Sequence, residues 1–165
     1  FGLFIGFGMM FFTTLNNLYW ISNFVLYSVM NFVILIGALV GIVLSGIQQR
    51  KAMGGYITIK EAFSALFITT LIASFINAVY GYVYATAIDP NLVDKIKAGS
   101  IALMERMKAP EEAIDQAIEA MDAKTKDSLK LSKVLFAYAQ TLVGYGIVNF
   151  IIAAIIKKNK PAETV

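Results

Sequence analysis

The sequence predicts an all-α membrane protein: four transmembrane helices, with an extramembrane amphipathic two-helix insert between the third and the fourth. Three observations predict it. Mean hydropathy is +0.70 and only 15% of residues are charged, where soluble domains average about a quarter. Residues 62–88 run for 27 positions without a charge, between Lys60-Glu61 and Asp89-Pro90. Residues 89–130 then change character, with seven basic and nine acidic side chains. A chain of 165 residues is one domain's worth.

The first span is expected over residues 2–20. At 1.5 Å per residue it just covers a hydrocarbon core of about 30 Å. Gly2 and Gly6, four apart, offer a small face that lets another helix approach. Thr13, Thr14, Asn16 and Asn17 make its second half polar, as at an interfacial helix end or the wall of a cavity, and Trp20 is placed as an interfacial anchor. A link of three residues, Ile21-Ser22-Asn23, makes the next span (24–47) the second arm of an antiparallel hairpin. Its Gly37, Gly41 and Ser45 form a small-residue stripe, a helix-packing candidate. Asn31 is its strongly polar interior residue, and a bond to a neighbouring helix is expected.

Gln48-Gln49-Arg50-Lys51 ends that helix, and Gly54-Gly55 signals a turn. The third span, 59–88, would be about 45 Å long if straight, more than the core thickness, so it should tilt or emerge. Emergence would set Tyr80, Tyr82 and Tyr84 at headgroup level as further anchors. Thr70, Ser74 and Asn77 share one face at i, i+4, i+7. The fourth span, 131–156, carries Tyr138, Thr141, Tyr145 and Asn149 on one face, at spacings of three, four and four. These two mildly polar faces are packing candidates for each other. Lys133 can snorkel to the interface, and Gly144 and Gly146 permit close packing.

The insert reads as two short helices. Asp89 caps the first with Pro90 at its first helical position, and Leu92, Ile96, Leu103 and Met107 form its apolar stripe. Pro110 starts the second. Glu111 and Glu112 open it, Ile114, Ala117, Ile118 and Met121 line it, and Lys124 and Lys126 close it. Four spans put both termini on one side. The basic loop with Arg50, Lys51 and Lys60 shares that side with the tail lysines Lys157, Lys158 and Lys160 before Pro161. Basic residues at span ends mark the cytoplasm, which leaves 89–130 outside. Against this, the insert holds more Lys and Arg than either cytoplasmic piece, though each lies among acids.

Composition removes several chemistries. There is no cysteine for a disulfide or thiolate and no histidine, the commonest general base and metal ligand. The +3 charge matches the tail lysines and reads as topology, not as a nucleic-acid patch. No small-residue cleavage site follows the first apolar run, so no signal peptide is expected. No catalytic, cofactor or metal residue is assigned.

One set of segments carries a family likeness: residues 55–63, Leu71-Ile72-Ala73-Ser74, residues 80–84, Ile88-Asp89-Pro90 and the late run 151–158. In order and spacing they resemble an uncharacterised family of small four-span inner-membrane proteins, a domain of unknown function found chiefly in Bacteroidetes. The likeness covers about residues 50–158. The first two spans match it only as apolar segments. It implies four spans, an outward insert and a bacterial inner membrane, and brings no catalytic residues. The functional expectation is therefore a non-catalytic, structural or accessory subunit in the lipid bilayer, packed against a larger membrane-protein partner or a homo-oligomer. The alternative is a small oligomeric transporter or lipid-translocation factor for a neutral or lipid substrate. Mid-span polar residues here are Asn, Gln, Ser, Thr and Tyr, without the buried charges that ion coupling needs.

Overall fold

A computed structural model describes residues 1–160, and within 123–128 the backbone only. The expected roles of Lys124, Lys126 and Pro161 lie outside the described residues. The chain is helical: α1 (Gly2–Tyr19), α2 (Phe24–Ala52), α3 (Ile59–Val83) extended by a π-helical turn (Tyr84–Ile88), α4 (Leu92–Arg106), α5 (Glu111–Ser128) and α6 (Leu131–Ile156). Among the described residues three helices are long and apolar enough to cross a membrane: Phe24–Ala52, Ile59–Ile88 and Leu131–Ile156. α1 is not among them, because Thr13, Thr14, Asn16 and Asn17 dilute an 18-residue helix.

Successive long helices alternate in direction, and α3 is the hub. Gly2 of α1 meets Ile72, Gly6 meets Ile76 and Ala73, and Thr14 bonds Tyr80, so α1 runs parallel to α3. Gly41 of α2 meets Ile5, while Gly46 meets Leu66 and Ile156, so α2 runs antiparallel to α1 and α3. On α6, Phe150 lies against Phe63 and Tyr138 against Phe75, which makes it antiparallel to α3. The bundle therefore has two distinct ends. One carries the α2–α3 loop and the chain after α6. The other carries the α1–α2 turn with α4 and α5.

Local chemistry sets the breaks. Asn23 caps α2, its Oδ1 accepting from the Leu26 amide at 3.3 Å. α2 runs past the expected stop at 47 to Ala52, because Gln48 to Lys51 are good helix formers and Arg50 and Lys51 suit a C-terminal turn. Gly54 and Gly55, at φ +76° and +88°, then turn the chain where a side chain would strain it. Thr58 opens α3 in a capping box with Glu61: the Glu61 amide donates to Thr58 Oγ1 at 3.3 Å and the Thr58 amide to Glu61 Oε2 at 2.9 Å.

The start of the insert differs from expectation. α3 loosens into the π turn, and α4 begins only at Leu92, with Asn91 in the cap position. Asp89 does not cap it. Its carboxylate takes Lys95 at 2.7 Å instead. Leu92 and Ile96 pack inward with Tyr84 and Ala85, whereas Met107 lies past the helix end and is 73% exposed. α4 and α5 are joined by the Lys97–Asp122 pair and by Ser100 against Met121. They dock on the bundle end, where Gly99 lies against Phe24 and Leu92 reaches the cluster with Ile21.

Burial departs from that of a water-soluble bundle in its amides and its outer face. Asn16 and Asn149 are 0% exposed, while Phe4 and Ile155 are 85% and 75% exposed. Apolar side chains outside and paired amides inside are what a hydrocarbon solvent favours.

Candidate functional site

The two mildly polar faces come together. A cavity of about 320 Å³ opens between α3 and α6, with Thr70, Ser74 and Asn77 on one wall and Tyr138, Thr141 and Tyr145 on the other. α1 and α2 back it with Ile5, Met9, Ala38 and Ile42. Helical spacing explains the convergence: each triplet lies along one helix stripe, and antiparallel α3 and α6 present the stripes to each other.

Most of these polar groups are already engaged. Asn149 Nδ2 donates to Thr70 Oγ1 at 3.0 Å, and that hydroxyl donates to the Leu66 carbonyl at 2.9 Å. Ser74 donates to the Thr70 carbonyl at 2.7 Å and Thr141 to the Ala137 carbonyl at 2.9 Å. Tyr138 OH donates across the helix pair to the Leu71 carbonyl at 3.1 Å. Asn77 and Tyr145 line the cavity without a hydrogen bond among the described residues. The lining is thus apolar with a few neutral donors and acceptors, and it carries no Asp, Glu, Lys or Arg. Among the described residues no cluster of carboxylates could hold a metal ion.

The α2 stripe is divided. Gly41 lies against Ile5, and Ser45 is buried with its hydroxyl on the Ile42 carbonyl at 2.7 Å. A Cβ added at Gly37 would meet nothing within 4 Å. It borders an apolar groove of about 380 Å³ between α1 and α2. Of the α2 glycines the most closely approached is Gly46, where a Cβ would stand 2.6 Å from Ile156 and 2.8 Å from Leu66. Spacing by fours passes over Gly46, since it lies next to Ser45. On α6, Gly144 also faces open space, and Gly146 only brushes Phe67 at 3.9 Å. Asn31 bonds the Tyr27 carbonyl of its own helix at 3.0 Å rather than a neighbour.

The expected anchors also divide. Trp20 closes α1 half-buried, with Tyr19 exposed beside it, and Tyr82 is half-buried. Tyr80 and Tyr84 turn inward, edge to face at 5.7 Å, and Tyr84 is only 3% exposed. Their shared face is covered by α1 and by Leu92, so they pack against protein. Beside them Asn16 and Asn17 are buried in the bundle. Asn16 donates to the Tyr27 carbonyl at 3.1 Å, and Asn17 lies against Tyr84. The sequence signal was there: two adjacent amides in an apolar helix need internal partners.

Comparison with curated proteins and with solved structures returned no match. A family match covers residues 1–158, nearly the whole chain, including the two N-terminal helices that resembled it only as apolar runs. The chain belongs to the family described as protein of unknown function DUF4199.

Proposed function

We propose that this is a four-span protein of the bacterial inner membrane that works as a non-catalytic accessory subunit, packed against a larger membrane partner. The observation that carries the reading is where the interior polar groups go. Asn149, Thr70, Tyr138, Thr14 and Asn16 spend their hydrogen bonds holding helices to one another, with no acid, base or nucleophile set among them. α1 serves as the fourth span, about 27 Å long and bound along α3. Both termini are cytoplasmic and α4–α5 are periplasmic. The gathering of Arg50, Lys51, Lys60, Lys157 and Lys158 at one end supports that orientation.

Mild-detergent purification from native membranes tests the role. A stoichiometric larger partner is expected, and a monodisperse homomer alone would overturn it. Topology has a clean test because the sequence lacks cysteine. K108C should label from outside with an impermeant maleimide and K51C should not; the reverse pattern refutes the orientation.

A second reading, a lipid-translocation factor or transporter for a neutral or lipid substrate, is favoured by the cavity between α3 and α6. Its neutral lining beside an apolar groove suits an amphiphile. Lipid scrambling or solute flux in liposomes no faster than in empty vesicles would remove it.

A further inference from the structure

Two stretches far apart in sequence become one surface at the end of the bundle away from α4 and α5. The Ile57 amide donates to the Lys158 carbonyl at 2.9 Å and the Lys158 amide returns the bond to Ile57 at 2.9 Å, an isolated antiparallel bridge. Ile57 is buried in the bundle's main apolar cluster, so this is a seated strap. Arg50 adds a third tie, its guanidinium donating to the Ile156 carbonyl at 3.1 Å. The Lys158 ammonium lies 5.5 Å from the centre of the Tyr56 ring.

The strap fuses the basic loop with the basic tail. Arg50, Lys51 and Lys60 come from one side and Lys157, Lys158 and Lys160 from the other. Among the described residues this end holds one acid, Glu61, already occupied by Thr58 Oγ1 at 2.8 Å and its backbone amide at 2.9 Å. Lys160 stands near enough to feel that carboxylate. None of the six cations makes an ion pair there with another described residue. Like charges drawn together by backbone bonds repel one another unless an anion is shared among them.

We infer that this strapped surface is a binding site for anionic phospholipid headgroups of the leaflet it borders. The geometry suits them: the cations lie at the ends of apolar helices, where headgroup phosphates stand. Arg50 keeps guanidinium donors beyond its one bond, and lysines bind phosphate as point charges. Tyr56 beside Lys158 is an aromatic–cation pair of the kind that anchors at an interface. The inference rests on membrane embedding but not on the side or the partner. A chain released from membranes by alkaline carbonate would fail the embedding before any lipid is counted.

The test is native mass spectrometry of the detergent-purified full chain, with phosphatidylglycerol or phosphatidylcholine added. Lys157 and Lys158 are exposed, and Lys158 enters the bridge through its backbone, so K157Q/K158Q keeps the strap. That variant should retain phosphatidylglycerol roughly tenfold less well, with phosphatidylcholine unchanged. K51Q/K60Q, on the other half, should lower the same lipid similarly. R106Q/K108Q, an equal charge loss at the opposite end, should not. Equal loss in all three variants would mean net charge alone and overturn the site. So would retention unaffected by either patch variant, or a loss confined to one half.

Discussion

Gly6→Ala tests the packing that fixes α1 to α3. A methyl on Gly6 would stand 2.7 Å from Ile76 Cδ1, 3.0 Å from Ile76 Cβ and 3.3 Å from Ala73 Cα. The Cδ1 can rotate aside, but a Cβ and a Cα move only with their helix. Carbon atoms rest at about 3.5–4.0 Å, so α1 must retreat by roughly half an ångström or more. Overpacking of this kind costs about 1–3 kcal/mol, and alanine returns up to about 1 kcal/mol in helix propensity. The expected net loss is about 1–2 kcal/mol, or roughly 5- to 30-fold in the folding constant. Gly8→Ala is the control on the same helix, since nothing lies within 4 Å of its added carbon. It should be neutral or stabilising by up to about 1 kcal/mol. The assay is reversible unfolding in detergent micelles, read by the single tryptophan, Trp20, at the end of α1. Equal stability of G6A and wild type, or equal loss in G6A and G8A, would refute the reasoning.

Asn149→Leu should change stability by no more than about 1 kcal/mol in the same titration. It loses the bond to Thr70 but also removes a buried Oδ1 that finds no partner, and intramembrane bonds average about 0.6 kcal/mol. Thr58→Ala removes the capping box, so the Glu61 amide should exchange hydrogen roughly fivefold faster while amides in the middle of α3 stay unchanged. Tyr138→Phe keeps the ring against Phe75 but drops the bond to the Leu71 carbonyl. Exchange in the first half of α6 should rise, with residues 149–156 unaffected; a uniform rise along α6 would contradict the assigned role.

Sequence periodicity was enough to find the elements and the two polar stripes, because i, i+4 spacing fixes which side chains share a helix face. It could not say which glycines meet a neighbour. Gly37 and Gly46 look alike in a small-residue pattern, and only the crossing of α2 with α3 and α6 decides that the second is pressed and the first is free. The burial of Tyr84 is hidden from periodicity for a related reason. A tyrosine near a span end belongs at an interface unless something covers it, and here docking of Leu92 and the neighbouring Asn17 does so. Asp89 had the right type and position for a cap, but the π turn before it delays the helix and Lys95 claims its carboxylate. The Ile57–Lys158 strap was out of reach altogether. A single bridge between remote residues leaves no periodic trace in either segment.

In hydrocarbon, apolar burial gives helices no reason to associate, so α3 must hold its neighbours by close packing and by neutral polar bonds. It does so at three levels: Gly46 against Leu66 and Ile156 at one end, Gly2, Gly6 and the Thr70–Asn149 bond in the middle, and Thr14–Tyr80 with Asn17 beside Tyr84 at the other. α1 and α2 are joined to each other as well as to α3. The first half of α6 is held differently. Its ties to α3 there are the Tyr138–Leu71 bond and the ring contact with Phe75, and the cavity opens beside them between α3 and α6, backed by α1 and α2. α6 is held at its far end instead, by the Ile156 contact with Gly46, the Arg50 bond and the strap. The same strap that gathers the six cations therefore also ties the end of α6 to the start of α3.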